Sequence, residues 1–191
     1  MMEFLMSPFK AYVRWRHSRG FGVHSPFAYT LVKMAVSPGQ YGYYGYSLID
    51  NVILRPGFKS YPHAREDARL LLRLLVQLKS RRLLVPEGLP AMCAAAEGAG
   101  ISCLRFKEGK ASSLPKPHTG DFLVATPGMF STDQLTERLK QGTAILAVSP
   151  SEEYIDTIYK ACGRGLIFHG VRLLLAVPRE EMAFVAYTMK F

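Results

Sequence analysis

The chain predicts an α/β protein: an open, mostly parallel sheet covered by helices, closed by a C-terminal antiparallel hairpin and preceded by a helical extension. Three observations carry this expectation. Residues 82–106, RLLVPEGLPAMCAAAEGAGISCLRF, read as strand, tight turn, short helix and strand, one complete parallel crossover unit. From residue 63 onward, short apolar runs alternate with amphipathic segments, the pattern of a sheet with helices on its faces. Two β-rich runs at the end, Val171–Val177 and Met182–Lys190, are joined only by Pro178–Glu181, too short a link for a crossover helix and suited to an antiparallel pair. The organisation expected is a helix-and-loop extension over residues 1–62 and an α/β domain over 63–191.

Taken in order, Glu3–Arg19 has helical spacing, with Leu5, Phe9, Tyr12 and Val13 on one face and Pro8 tolerable only near the first turn. Ser25 followed by Pro26 is a cap with proline at the first helical position, so a second helix starts there, with Phe27, Leu31 and Met34 as its buried stripe. Residues 41–46, YGYYGY, read as an aromatic, glycine-rich loop. Its four tyrosines either stack on a ring or base or pack on the domain surface. Asn51–Ser60 reads as irregular, with a Pro56-Gly57 turn. Ala64–Lys79 is a helix by the spacing of Ala68, Leu71, Leu72, Leu75 and Leu78, with Glu66 and Asp67 in its first turn.

Leu83–Val85 is the short apolar run of a buried strand, broken by Pro86–Pro90. Ala91–Glu97 is helical by propensity, Gly98 and Gly100 end it, and Ile101–Phe106 is the second strand. Lys107–Thr119 is polar loop. Asp121–Thr126 and Thr143–Val148 are further strands. Between them Ser131 and Gln134 form a capping box for a helix to Lys140. Ser149-Pro150 with Glu152 marks another helix start, running to about Cys162.

Of 24 Lys/Arg and 15 Asp/Glu, residues 1–82 hold 13 and 4, while 83–191 hold 11 and 11. The whole excess of +9 therefore precedes Leu83. Such a lead attracts a phosphate-rich partner or an anionic membrane surface, or is simply a solvated helix face. Apolar stretches are too short to span a bilayer, and no basic region followed by an apolar core marks a signal peptide. Cys93, Cys103 and Cys162 lack metal-ligand spacing and read as small core residues of a reduced, cytoplasmic protein.

Two stretches carry a family resemblance. YVRWRHSRGFGVHSPFAYTLV, containing His24-Ser25-Pro26-Phe27, resembles the start of bacterial S-adenosylmethionine (SAM)-dependent O-methyltransferase-like proteins. GLIFHGVRLLLAV followed by AFVAYTMKF is similar to that family's last two strands. The resemblance spans nearly the whole chain. It implies a Rossmann-like, class I methyltransferase-like fold, a SAM site and, if the protein is active, a small-molecule methyl acceptor. It places Glu87 and Gly88 at the start of the cofactor turn, with Leu89 and Thr126 at the same site. Glu108 stands where an acid would grip the ribose hydroxyls, or is a solvated loop carboxylate. Leu89, Pro90 and Met92 stand where small residues are expected, and proline removes a donor. SAM binding is therefore expected to be weak or absent.

Relatives with a metal-dependent mechanism would carry carboxylates after the third and fourth strands, where this chain has Thr126-Pro127 and Ser149-Pro150. Asp121 lies at the wrong end of its strand. No metal and no catalytic residue is assigned. The short spacing from Phe106 to Asp121 also suggests that one edge strand of the family is missing. His24 and His169 have no partner at ligand spacing and read as structural or solvent-facing. The function expected is thus a SAM-dependent methyltransferase-like protein of reduced or lost activity. The alternative is a non-catalytic scaffold docking an anionic partner through its basic lead.

Overall fold

The computed structural model describes residues 8–20, 22–37, 42–58, 61–107 and 114–190. In chain order the elements are α1 (Pro8–Ser18), α2 (Pro26–Leu31) continuing into a π-helical turn (Val32–Val36), α3 (Gly45–Ile53), α4 (Ala64–Gln77), β1 (Arg82–Pro86), α5 (Pro90–Gly98), β2 (Ser102–Phe106), β3 (Asp121–Ala125), α6 (Thr132–Lys140), β4 (Ala144–Val148), α7 (Glu152–Ala161), β5 (Gly165–His169), β6 (Leu173–Pro178) and β7 (Val185–Thr188).

The strands form a mixed, Rossmann-like sheet of order β2-β1-β3-β4-β6-β5-β7. Only β6 runs against the others, paired antiparallel to both β4 and β5. Alternation along the strands divides the core into two layers. Leu83, Val85, Phe122, Val124, Leu146 and Phe168 point to one face, under α4, α5 and the N-terminal helices. Leu84, Leu123, Ile145, Ile167 and Leu174 point to the other, under α6 and α7. Val23, Ala28, Leu31, Ala35 and Ile49 belong to the first of these layers, so the residues before α4 share the core of the sheet.

Helix starts follow their caps. Ser131 accepts from the Gln134 N–H while the Gln134 side chain accepts from the Ser131 N–H, the full capping box. Ser25 caps α2 by accepting from the Ala28 N–H. For α7, however, the cap is Ser151, not Ser149. Ser149 instead takes the left-handed conformation (φ 48°), and its N–H bonds the Arg172 carbonyl at 2.6 Å.

The structure corrects several other expectations. The stretch expected to be loop and irregular chain contains α3. Tyr46 lies on it, clamped by α4: the Arg69 guanidinium sits 4.8 Å over its ring, and Arg73 Nη1 donates to its hydroxyl at 2.7 Å. Tyr44 is 90% exposed, and Tyr41 lies outside the described residues. In α2 the π turn, marked by the Ser37 N–H bonding Val32 O at 2.8 Å, adds a residue to the turn. The buried stripe becomes Ala28, Leu31, Val32 and Ala35, leaving Met34 exposed. Residues 3–7 of the first expected helix lie outside the described residues, and Tyr12, expected on its buried face, is exposed.

The closing hairpin is β5–β6, not Val171–Val177 with Met182–Lys190. Gly165–His169 is itself a strand. The last run contributes only Val185–Thr188, parallel to β5 on its far side. The short link does reverse the chain, but it crosses the start of β5 before β7 begins. Gly165 (φ 113°) allows that crossing: a Cβ there would lie 2.7 Å from Arg179 N and 2.9 Å from Pro178 Cα. At the other edge of the sheet lies β2, with no strand beyond it among the described residues.

Candidate functional site at the carboxyl edge of the sheet

In an open α/β sheet, ligands bind outside the carboxyl ends of the strands where the strand order reverses. Here β1 has β2 on one side and β3 on the other, so the switch point lies over the ends of β1 and β3. Glu87, Gly88 and Leu89 leave β1, and Thr126 leaves β3, at that edge. The structure thus brings four of the five expected cofactor residues to one edge. Glu108 lies outside the described residues.

The turn offers space, and part of its donor set is already engaged. Glu87 and Gly88 are exposed, and a Cβ on Gly88 would meet nothing within 4 Å. The Glu87 N–H is bonded to Phe106 O at 2.9 Å, the Leu89 N–H to Pro86 O at 3.1 Å and the Met92 N–H to Leu89 O at 3.0 Å. Pro90, at the start of α5, has no N–H, and no side chain caps that helix. A helix N-terminus serves an anionic or carboxylate group only through its free N–H groups. Pro90 and the three engaged groups leave the Gly88, Ala91 and Cys93 N–H groups to face an anionic group at this turn. The Thr126 hydroxyl points back within its own turn, toward Met129 Sδ at 3.8 Å.

Beside this turn, over β4 and β6, sits a buried ionic cluster that the sequence does not announce. Asp67, in the first turn of α4, is 1% exposed, and Arg172, at the mouth of β6, donates from Nη1 to both its oxygens at 3.0 Å. Burial, the larger influence, pushes the Asp67 carboxyl above its usual range, while Arg172 opposes the rise. The Tyr61 phenol is pushed up by burial and by the neighbouring Asp67 carboxylate. His63 precedes α4 with a left-handed backbone (φ 72°). Asp67 and Arg172 are 105 residues apart in sequence. Only the fold joins them, and Asp67 by itself reads as an ordinary acid in a helix's first turn.

Other charged residues find structural work. Asp121, at the amino edge, takes Arg82 Nε at 3.0 Å and Nη2 at 2.6 Å, and also accepts from the His118 N–H at 3.0 Å. Arg65 and Arg69 both pair with Asp50. A groove of about 940 Å³ opens at this same amino edge, between Lys79, Arg81, Gln141 and Arg164. It is far from the switch point and bounded by the returning loops, so it is not where this architecture places a ligand. Among the described residues, no group of three or more His, Cys, Asp and Glu is arranged to hold a metal ion. No helix among them is long and apolar enough to cross a membrane. The cysteines are not all core: Cys162 is buried, Cys93 half-buried and Cys103 exposed. No protein-family model matches the chain, and no curated protein matches it.

Proposed function

We propose that this is a SAM-dependent methyltransferase-like protein whose cofactor turn binds SAM weakly or not at all. The observation that supports the fold half of this reading is the strand order: a parallel sheet with a switch point between β1 and β3 and one antiparallel strand inserted near the end. The resemblance of the lead and tail implies a Rossmann-like sheet of this class, although the antiparallel strand is β6 and the last strand, β7, runs parallel to β5. The observation behind the weak grip is the turn itself, where Pro90 has no donor and the Glu87, Leu89 and Met92 N–H groups are already bonded. No transfer step is assigned to this chain. Isothermal titration with SAM and S-adenosylhomocysteine tests the reading. The expected result is no heat, or a dissociation constant weaker than about 1 μM, equivalent to about −8 kcal/mol. Tighter binding than that would overturn it.

A second reading, a scaffold that docks an anionic partner, is favoured by the outer face of α1. Tyr12 and Trp15 stack there, 53% and 42% exposed, with Arg16 over the first ring and Arg19 over the second. The inner face is fixed: His17 Nδ1 donates to Thr188 O at 3.1 Å and its ring meets Tyr187 edge-on. Arg14 is half-buried on this inner side. Docking therefore belongs to Arg16 and Arg19. Binding to a polyanion or anionic vesicles should weaken steeply between about 50 and 200 mM salt. The R19Q variant should bind less while melting at the wild-type temperature. No binding at the lower salt would leave α1 as a brace for β7.

A further inference from the structure

Two arginines of this chain hold a buried aspartate, and they do so differently. Arg82 uses Nε and Nη2, the two parallel donors on one side of its guanidinium, which reach Asp121 Oδ1 and Oδ2 at 3.0 and 2.6 Å. Arg172 uses a single nitrogen, Nη1, for both oxygens of Asp67, each at 3.0 Å. Its Nε and Nη2, the same fork that Arg82 closes on Asp121, have no partner among the described residues, and neither atom is buried. The Arg172 side chain is 31% exposed, whereas that of Asp67 is 2% exposed. A buried carboxylate thus holds the guanidinium from one side and leaves its fork open to solvent.

The location suits a ligand. Arg172 immediately precedes β6, which runs antiparallel to β4, so it lies at the carboxyl end of β4 beside Ser149. Two residues with left-handed backbones bracket the pair. Ser149 (φ 48°) donates its N–H to Arg172 O at 2.6 Å, and the carbonyl of His63 (φ 72°) accepts from the Asp67 N–H at 3.0 Å. Strained backbone of this kind gathers at ligand sites. From the end of β1 the sheet steps across β3 and β4 to β6, three strand spacings or about 14 Å. That is room for a small molecule of its own beside the Glu87–Leu89 turn.

We propose that the open Nε/Nη2 fork of Arg172, held by Asp67, is a binding site for the carboxylate of a small organic acid.

Two parallel N–H donors match two coplanar oxygens, which is how arginine recognises a carboxylate side-on. A phosphate carries about two negative charges and calls for more than one cation, and the charge of Arg172 is already shared with Asp67. Binding of the acid stands without SAM. Only its role as a methyl acceptor rests on the methyltransferase-like reading.

Proton–nitrogen NMR of the full chain, following the arginine Nε–H signals, tests this with benzoate as probe and benzamide as its uncharged counterpart, at constant ionic strength and without SAM. The Arg172 signal should move on addition of benzoate and saturate, with a dissociation constant of about 1 mM or tighter. Benzamide should leave it in place, and inorganic phosphate should bind more weakly than benzoate. R172K keeps a cation beside Asp67 but has no fork, so it should lose the saturable response to benzoate. No saturable shift at Arg172, an equal response to benzamide or phosphate, or a benzoate response that survives in R172K would each overturn the proposal. The wild-type titration carries the primary readout, so a variant that fails to fold would not shelter the idea. Tight SAM binding by calorimetry would overturn the weak-grip reading of the cofactor turn and leave this site standing. A failed benzoate titration would remove this site and leave that reading standing.

Discussion

His169 ends β5 with its ring edge-on to Tyr159 at 6.2 Å and its carbonyl accepting the Met189 N–H at 2.8 Å. Burial first, and Arg14 second, hold its imidazole below the usual pKa of 6.5. The consequence for stability has a definite sign. The unfolded chain takes up the proton before the folded one, so the contribution of neutral His169 is complete above about pH 6.5 and is lost as the pH falls through the folded value. Urea midpoints measured between about pH 7.5 and 5 should fall more for the wild type than for H169Q. Equal slopes would show that the ring is solvated in the fold. At this scale the sequence served unevenly. The family resemblance named Glu87, Gly88, Leu89 and Thr126, and the structure puts them just past the carboxyl ends of β1 and β3. The sequence by itself read His169 as structural or solvent-facing and gave no hint of its contact with Tyr159. It named Ser149 as a cap where Ser151 serves, because both precede the same acids and only backbone angles separate them.

The crossing of α3 and α5 shows why an element can be invisible in a sequence. Gly45 and Gly98 face each other so closely that a Cβ on Gly45 would stand 2.7 Å from Gly98 Cα. Glycine is a poor helix former, so YGYYGYSLID reads as loop. Yet the glycine is what lets the two helices approach, and burial of Ile49 outweighs propensity. Gly45→Ala should destabilise the protein by about 1–3 kcal/mol through overpacking. Gly88→Ala, where the new methyl meets open space, should change stability by less than about 0.5 kcal/mol. Chemical denaturation of both variants checks this. Equal stabilities would mean that α3 does not press on α5. Elements with local signals, such as α4 with its apolar stripe and α6 with its capping box, were legible to within a residue or two. β5 was not, because only three residues, Gly170–Arg172, separate it from β6. The partner of β7 was not legible either, since a short link fixes the direction of the next strand but not which neighbour it joins.

At the scale of the molecule, the basic lead is in part an internal brace. Arg65 and Arg69 hold Asp50, Arg73 holds Tyr46 and Ala35 O, and Arg82 holds Asp121. Composition counts those charges without showing where they go. The same sheet that gathers them sets its switch point over a turn that is open in shape, with a proline at its helix start and three of its N–H groups engaged. If that turn is the cofactor site, its composition is what weakens the grip. Restoring a small residue and removing the proline should then restore binding. The decisive measurement is calorimetric titration of S-adenosylhomocysteine into the wild type and the L89G/P90A variant side by side. The expected result is binding at least about ten-fold tighter in the variant, a gain of about 1.4 kcal/mol. An unchanged affinity, or no binding by a folded variant, would contradict the assignment of residues 87–90 as a weakened SAM turn.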